Sequence, residues 1–174
     1  MTPLLFALDH NFSPTIVKAL GPYIPEANLV PVGDIDPRMP VLEDWELLVA
    51  LRQRSEGWAG LVTNDADFVT QPRELAALMQ TGLAVIVAES AGHDPIKAAG
   101  LLLAHLPGIC KRIIRGRAQV WRLRTADLPH TEPWDLFTKL AVQRKQNADQ
   151  LFADNKLSVE ELTSPVGLGL PPKP

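Results

Sequence analysis

The sequence predicts an α/β fold in which a mainly parallel sheet carries helices on both faces. Three observations lead there. Short uninterrupted apolar runs alternate along the chain with amphipathic stretches of helical period, the runs lack the polar alternation of a strand facing water, and proline or glycine signals bound most of the helical stretches. Strands buried on both faces and separated by helices belong to parallel sheets, because parallel neighbours need crossover connections.

Leu4 to Leu8 is the first apolar run, and it ends at Asp9. Ser13-Pro14 supplies an N-cap followed by proline at the first helical position, opening a helix through Leu20 that Gly21-Pro22 stops. Asn28 to Val32 reads as a second strand. Gly33 to Pro40, with two Asp and two Pro, predicts an irregular loop. From Glu43 to Arg54 the residues Trp45, Leu48, Val49 and Leu51 share one helix face, and Gly57 to Gly60 closes that segment. Leu61 to Thr63 is a third strand leading into Asn64-Asp65-Ala66-Asp67-Phe68. Gln71-Pro72 starts a helix that Gly82 ends, and Ala84 to Ala88 is the fourth strand. After Asp94-Pro95 a longer helical stretch reaches Arg115 with a break or kink expected at Pro107-Gly108, and Ala118 to Leu123 is the last strand.

Beyond Arg124 the character changes. Trp134, Phe137, Leu140, Ala141, Ala148, Leu151 and Phe152 recur at helical spacing among polar residues, predicting one surface amphipathic helix from Trp134 to Phe152. Its apolar stripe is expected to be an interaction element that covers its own domain, a second copy (a homodimer) or a partner protein. Ser158-Val159-Glu160-Glu161 has capping-box spacing, and the Pro/Gly-rich Pro165 to Pro174 is expected to be disordered. The organisation read from this is a domain over residues 1–126, a helical extension over 127–164 and a tail over 165–174.

With 174 residues, 46% hydrophobic and 21% charged, the chain has an ordinary globular composition, which argues against intrinsic disorder or a fibrous repeat for the whole. One cysteine, Cys110, excludes an intramolecular disulfide and metal sites built on several thiolates, so a reducing, cytoplasmic location is expected. The N-terminus lacks a basic run, and the longest uncharged apolar stretch, Ala98 to Cys110, is too short to span a bilayer, so no membrane association is expected. The net charge of −3 hides a sorting of charge. Residues 1–109 carry 6 Lys/Arg against 13 Asp/Glu, a net −7, and residues 110–174 carry 11 against 7, a net +4. An acidic half can hold cations and a basic half a polyanion.

The acids fall where a parallel sheet binds its ligands, outside the carboxyl ends of its strands. Asp9 follows the first strand, Asp65 and Asp67 the third, and Glu43-Asp44 opens a helix whose N-terminus belongs at the same end. Close carboxylates repel by roughly 4 kcal/mol per pair at an effective dielectric near 20, so a convergent set calls for protons or a cation. A hard divalent metal, Mg²⁺ or Mn²⁺, takes oxygen ligands and shares them with phosphates, which suggests metal-assisted phosphodiester hydrolysis. Each aspartate taken alone also reads as a turn or N-cap residue. Asn11 either orients Asp9 or forms an Asx turn, His10 is either a base or an idle loop residue, and Thr63 either contacts a phosphate or caps the Asn64-Asp65 turn.

The stretches Leu8-Asp9-His10-Asn11-Phe12-Ser13 and Val62-Thr63-Asn64-Asp65-Ala66-Asp67-Phe68 resemble the Asp-x-Asn-x-Ser opening and the Thr-x-Asp-x-Asp-Phe signature of the PIN-like nucleases, especially the compact branch that includes toxins of bacterial toxin-antitoxin pairs. Pro72-Arg73-Glu74 followed by Gly82-Leu83-Ala84-Val85 is similar to what comes next in that branch. The resemblance covers about residues 4 to 124. It implies a Rossmann-like three-layer α/β/α sandwich, an acidic Mg²⁺ or Mn²⁺ site and endonucleolytic cleavage of RNA, with an antitoxin protein as partner. The metal-ligand and catalytic set it implies is Asp9, Asp44 or Glu43, Asp65 and Asp67, with Asn11 and Thr63 supporting them. Asp44 ranks above Glu43 because it is read as nearer the N-cap.

Lys111, Arg112, Arg115, Arg117, Arg122 and Arg124 form an acid-free basic stretch. It is either a solvated face or a phosphate track, and Arg112, Arg115 and Arg117 are the RNA-binding candidates, with Trp121 available to stack if exposed. Two other readings stay open: a non-catalytic PIN-like scaffold that binds RNA or protein, and a receiver-type phosphoacceptor domain suggested by the strand-end acids, Thr63 and Lys97.

Overall fold

The computed structural model describes residues 2–91, 94–124 and 130–163. Five strands, β1 (Leu4–Leu8), β2 (Ala27–Pro31), β3 (Gly60–Thr63), β4 (Ala84–Val87) and β5 (Gln119–Arg122), form one sheet in the order β2-β1-β3-β4-β5, every neighbouring pair parallel. The helices α1 (Pro14–Leu20) and α5 (Pro95–Cys110) cover one face. The other is covered by α3 (Asp44–Gln53), α4 (Pro72–Thr81), α6 (Pro133–Gln143), α7 (Ala148–Asn155) and α8 (Val159–Thr163). This is the three-layer α/β/α sandwich that the alternating apolar runs predict. All residues of β3 and β4 are buried, since each of these central strands is covered above and below. No helix among the described residues is long and apolar enough to cross a membrane.

Gly60 shows how closely the central strands approach. A Cβ built there would lie 1.9 Å from the carbonyl oxygen of Ala84, so only glycine fits. Gly82 caps α4 in the left-handed conformation, φ 66°, and donates its N–H to Leu78 O at 3.1 Å.

Three local expectations need correction. The segment read as an irregular loop, Gly33 to Pro40, contains one turn of helix, α2 (Val32–Ile35), and runs into a 3-10 turn, Met39–Val41. Its polar residues organise the chain locally: the Asp36 carboxylate accepts from the Arg38 backbone N–H at 2.9 Å and from its guanidinium at 2.9 and 2.7 Å. The helix expected to break near Pro107 runs through it and stops at Cys110, not Arg115, because Leu102, Leu106 and Ile109 hold that face against the sheet on both sides of the proline. The single tail helix is a hairpin of two. Lys145 enters the left-handed region at φ 55°, and Asn147 then caps α7 by accepting from Gln150 N at 3.1 Å.

That hairpin decides what the apolar stripe does. Phe137, Leu140, Ala141, Leu151 and Leu157 are buried in the same core cluster as α3 and α4, so the extension covers its own domain. Trp134, Phe137 and Phe152 pack ring to ring at centroid distances of 5.7 to 5.9 Å. The Gln80 side chain on α4 fastens Leu157 by two bonds, 3.0 and 2.7 Å. The expected capping box closes α8, Ser158 and Glu161 each accepting from the other's backbone N–H. Residues 165–174, expected to be disordered, lie outside the described residues.

Phe137 is fully buried, so Phe137→Ala should cost about 3–5 kcal/mol by loss of transfer energy and creation of a cavity. Urea denaturation measures it. A loss under about 1 kcal/mol would mean that the extension is not part of the core.

Candidate functional site

The strand order β2-β1-β3-β4-β5 reverses direction at β1 and β3. In sheets of this order the crevice outside the carboxyl ends of those two strands is the ligand position. Asp9 leaves β1 and Asp65 leaves β3 on either side of it.

Asp9 is 2% exposed, and its carboxylate is fixed from four directions. Oδ1 accepts from the His10 backbone N–H at 2.6 Å and lies 2.6 Å from the His10 ring Nδ1. Oδ2 accepts from Asn11 Nδ2 at 2.8 Å and from Thr63 Oγ1 at 3.1 Å. Of the two readings of Asn11, the structure has the one in which it orients Asp9. Thr63 is fully buried, so its hydroxyl is out of reach of a substrate phosphate. It joins the two strand ends instead, accepting from Asp65 N at 3.0 Å while donating to Asp9. Asp65 in turn caps the 3-10 turn Ala66–Thr70, its Oδ1 accepting from Asp67 N at 2.8 Å, and the buried Phe68 anchors that turn. Asp67 is exposed on the rim.

The helix that faces them begins one residue later than the sequence suggests. Glu43 is itself the N-cap of α3 and forms a capping box with Glu46, whose carboxylate accepts from Glu43 N at 2.8 Å. Asp44, in the first helical turn, is the acid the other carboxylates act upon. Burial, then the charges of Asp9, Asp65 and Glu74, push its pKa from 3.8 up to about 7. Glu74, in the first turn of α4, is half-buried and is raised by burial and by the charges of Glu43 and Asp65. A cleft of about 510 Å³ is lined by His10, Glu43, Asp44, Asp65, Asp67 and Glu74 together with Pro40 to Leu42, Phe68 and Gln71, and Asp9 lies beneath it.

The structure therefore brings Asp9, Asp44, Asp65, Asp67 and Glu43 to one pole, and adds Glu74. Glu74 was legible only as an acid in the first turn of a helix that follows a strand, a position that βα geometry places at the carboxyl pole. The donors fit a hard divalent cation in kind, since all are carboxylate oxygens, and burial together with the neighbouring charges pushes Asp44 up to about 7. Among the described residues, no group of three or more His, Cys, Asp or Glu stands in an arrangement able to hold a metal ion.

The basic candidates are placed elsewhere. α5 descends from the carboxyl end of β4 to the amino end of β5, so Arg112, Arg115 and Arg117 occupy the opposite pole from the acids. Arg112 packs 5.0 Å from the centroid of Trp121, Arg117 pairs with Glu132 at 2.6 Å, and Arg115 borders a small hollow with Arg52 and Gly82. Trp121 is 2% exposed and cannot stack on a base.

No family model, curated protein or solved structure matches the chain. The site stands on its own geometry.

Asp44 makes stability depend on pH. Its folded pKa lies above its unfolded value, so the group favours the folded state while protonated, and this advantage is lost as pH rises from about 4 to about 7. Without added metal, the melting temperature should fall across that window, and Asp44→Asn should flatten the fall by an amount equivalent to no more than a few kcal/mol, given the partial exposure of the group. Parallel melting curves for wild type and variant would refute the crowding.

Proposed function

We propose that this chain is a PIN-like, metal-dependent endoribonuclease acting as the toxin of a toxin-antitoxin pair in the cytoplasm. The reading is carried by one observation. Acids from three chain-distant segments, Asp9, Asp44 and Asp65, converge at the switch point of a parallel sheet, where burial and the charges of Asp9 and Asp65 push Asp44 up to about 7. The Asp-x-Asn-x-Ser and Asp-x-Asp-Phe motifs supply Asp9 and Asp65, and the resemblance they carry connects the site to RNA cleavage and to an antitoxin partner.

Asp9, Asp44 and Asp65 would hold Mg²⁺ or Mn²⁺ once the Asp44 and Asp65 side chains draw in toward Asp9, since among the described residues the acids do not stand arranged as a ligand group, and Asp67, Glu74 and Glu43 would stand around them. A bound divalent ion supplies Lewis-acid chemistry: it polarises a phosphoryl oxygen and lowers the pKa of water. The chain's own residues do the positioning. Asn11 and Thr63 lock the Asp9 carboxylate so that it need not reorganise during reaction, and Thr63 fixes the backbone that presents Asp65. Asp44, whose pKa is raised to about 7, would release any proton it carries to solvent on taking up a cation. His10, half-exposed, lines the cleft and contacts Asp9 through its ring Nδ1.

A second reading has one observation in its favour. The order β2-β1-β3-β4-β5 is also that of receiver domains, which carry a phosphoacceptor at a strand end. The carboxyl end of β5 here bears Arg124, held by Glu89, and no lysine. Stable labelling by a small phosphodonor would establish it.

Purified protein with Mn²⁺ should cleave single-stranded RNA and stop in EDTA. Asp65→Asn and Asp9→Asn should fold and lose cleavage by at least about 100-fold, the scale at which a bound metal contributes. Asp44→Asn should damage activity more than Glu43→Gln, because Glu43 is engaged as an N-cap. Metal-dependent cleavage by Asp65→Asn would sink the site, and activity indifferent to EDTA would sink the mechanism.

A further inference from the structure

The sheet register carries one row of residues across the site pole. Asp9 continues β1 by donating to Val62 O at 3.0 Å, which sets it beside Thr63; Thr63 is in register with Val87, and Val87 with Arg122. Residues in register on neighbouring parallel strands point to the same face, here the α3 and α4 face, and lie about 4.8 Å apart per strand. The Cα of Arg122 is therefore roughly 10 Å from that of Thr63, on the same side as the acids. Arg124 follows two residues later, beyond the end of β5.

Both arginines are held by one carboxylate. Arg122 Nε donates to Glu89 Oε2 at 2.8 Å and its Nη2 to Oε1, while Arg124 Nε and Nη2 donate to the same oxygens at 2.8 and 3.1 Å. Burial alone would push Glu89 up, but the bonds from Arg124 and Arg122 outweigh it and hold the carboxyl below its ordinary range. Two cations on one anion leave a net positive charge. Each guanidinium has five N–H donors, and among the described residues neither Nη1 has a partner. The side chains are 26% and 42% exposed. Glu89 thus presets the two planes through Nε and Nη2 while both side chains keep exposed surface, which lowers the entropy lost when a phosphate binds.

We infer that Arg122 and Arg124, preset by Glu89, form the phosphate-binding pair that holds an RNA backbone next to the acidic cleft. The assignment rests on the RNA reading of the site, and it moves the contact from Arg112, Arg115 and Arg117 to the pole where the acids are. Here the positive pair offsets the repulsion that an acidic cleft exerts on a polyanion. Glu89 is a positioning residue, and it also competes with the phosphate for the guanidinium forks.

The test is titration of the full chain with a single-stranded RNA oligonucleotide in EDTA across a salt series. The Arg122→Gln/Arg124→Gln double variant should flatten the slope of log affinity against log salt by about 1.4, about 0.7 per phosphate contact, so a fourfold rise in salt weakens it about sevenfold less than wild type. Glu89→Gln should bind more tightly with a steeper slope, although its melting temperature falls. A merely structural ion pair would lower the melting temperature in Glu89→Gln and leave RNA binding unchanged, which would overturn the assignment even if the double variant failed to fold. Unchanged slope in a folded double variant, or no RNA binding by the wild type, would overturn it as well. Cleavage with Mn²⁺ is scored separately. RNA binding that follows the arginines without cleavage keeps the pair and removes the nuclease, whereas cleavage with slopes indifferent to the arginines does the reverse.

Discussion

The burial of β1, β3 and β4 between two layers of helices governs where every other polar group in the molecule goes. A strand covered above and below offers no wet face, so charge is pushed to where the strands stop. Asp9 and Thr63 are buried exceptions, and both are tied down: Thr63 donates to Asp9 and accepts from Asp65, which turns two strand ends into one polar unit. From that unit the cleft is built outward by the first turns of α3 and α4, whose N-termini point at it because each helix shares its sheet's βα geometry.

Crowding is the electrical consequence. Helix N-termini favour carboxylates, and two such ends meeting two strand ends place Asp44 and Glu74 among Asp9 and Asp65. Repulsion is eased by the upward shift of Asp44, which lets it take up a proton more readily than an ordinary carboxylate, and by the hydrogen bonds Asp9 and Asp65 accept. Such an arrangement is costly as structure alone. The sheet also sorts the bases, sending Arg112, Arg115 and Arg117 to the far pole and Arg122 and Arg124 to the near one, so neighbours in sequence serve opposite ends of the fold.

The C-terminal extension belongs to the same construction. Arg73 lies 4.3 Å over the Trp45 ring and pairs with Glu161 of α8, and the Gln53 side chain donates to Leu162 O. Trp45 adjoins Asp44 and Arg73 adjoins Glu74. The extension thereby braces, through one guanidinium, the two helix starts that carry acids, beyond what its apolar packing alone would do.

The strands, the helix starts at Pro14, Pro72 and Pro95, and the α/β class were legible in the sequence, because local signals set them: uninterrupted apolar runs, N-cap residues followed by proline, and glycine stops. So was the identity of Asp9, Asp44, Asp65 and Asp67 as candidates, since strand ends and helix starts are local features too. What the sequence left undecided is nonlocal. The order of the strands chooses which ends are neighbours, and only that order separates Arg115 from the acids and brings Arg122 near them. Glu43 and Asp44, adjacent and alike, are told apart by which one faces Asp9 and Asp65 across more than twenty residues of chain, while the other closes its own helix. The tail stripe likewise reads as apolar from its own residues, and it became core because α6 packs on α4 and the turn at Lys145 brings α7 back against it as well. Periodicity records which side of an element is apolar; what covers that side is set by the packing of the whole.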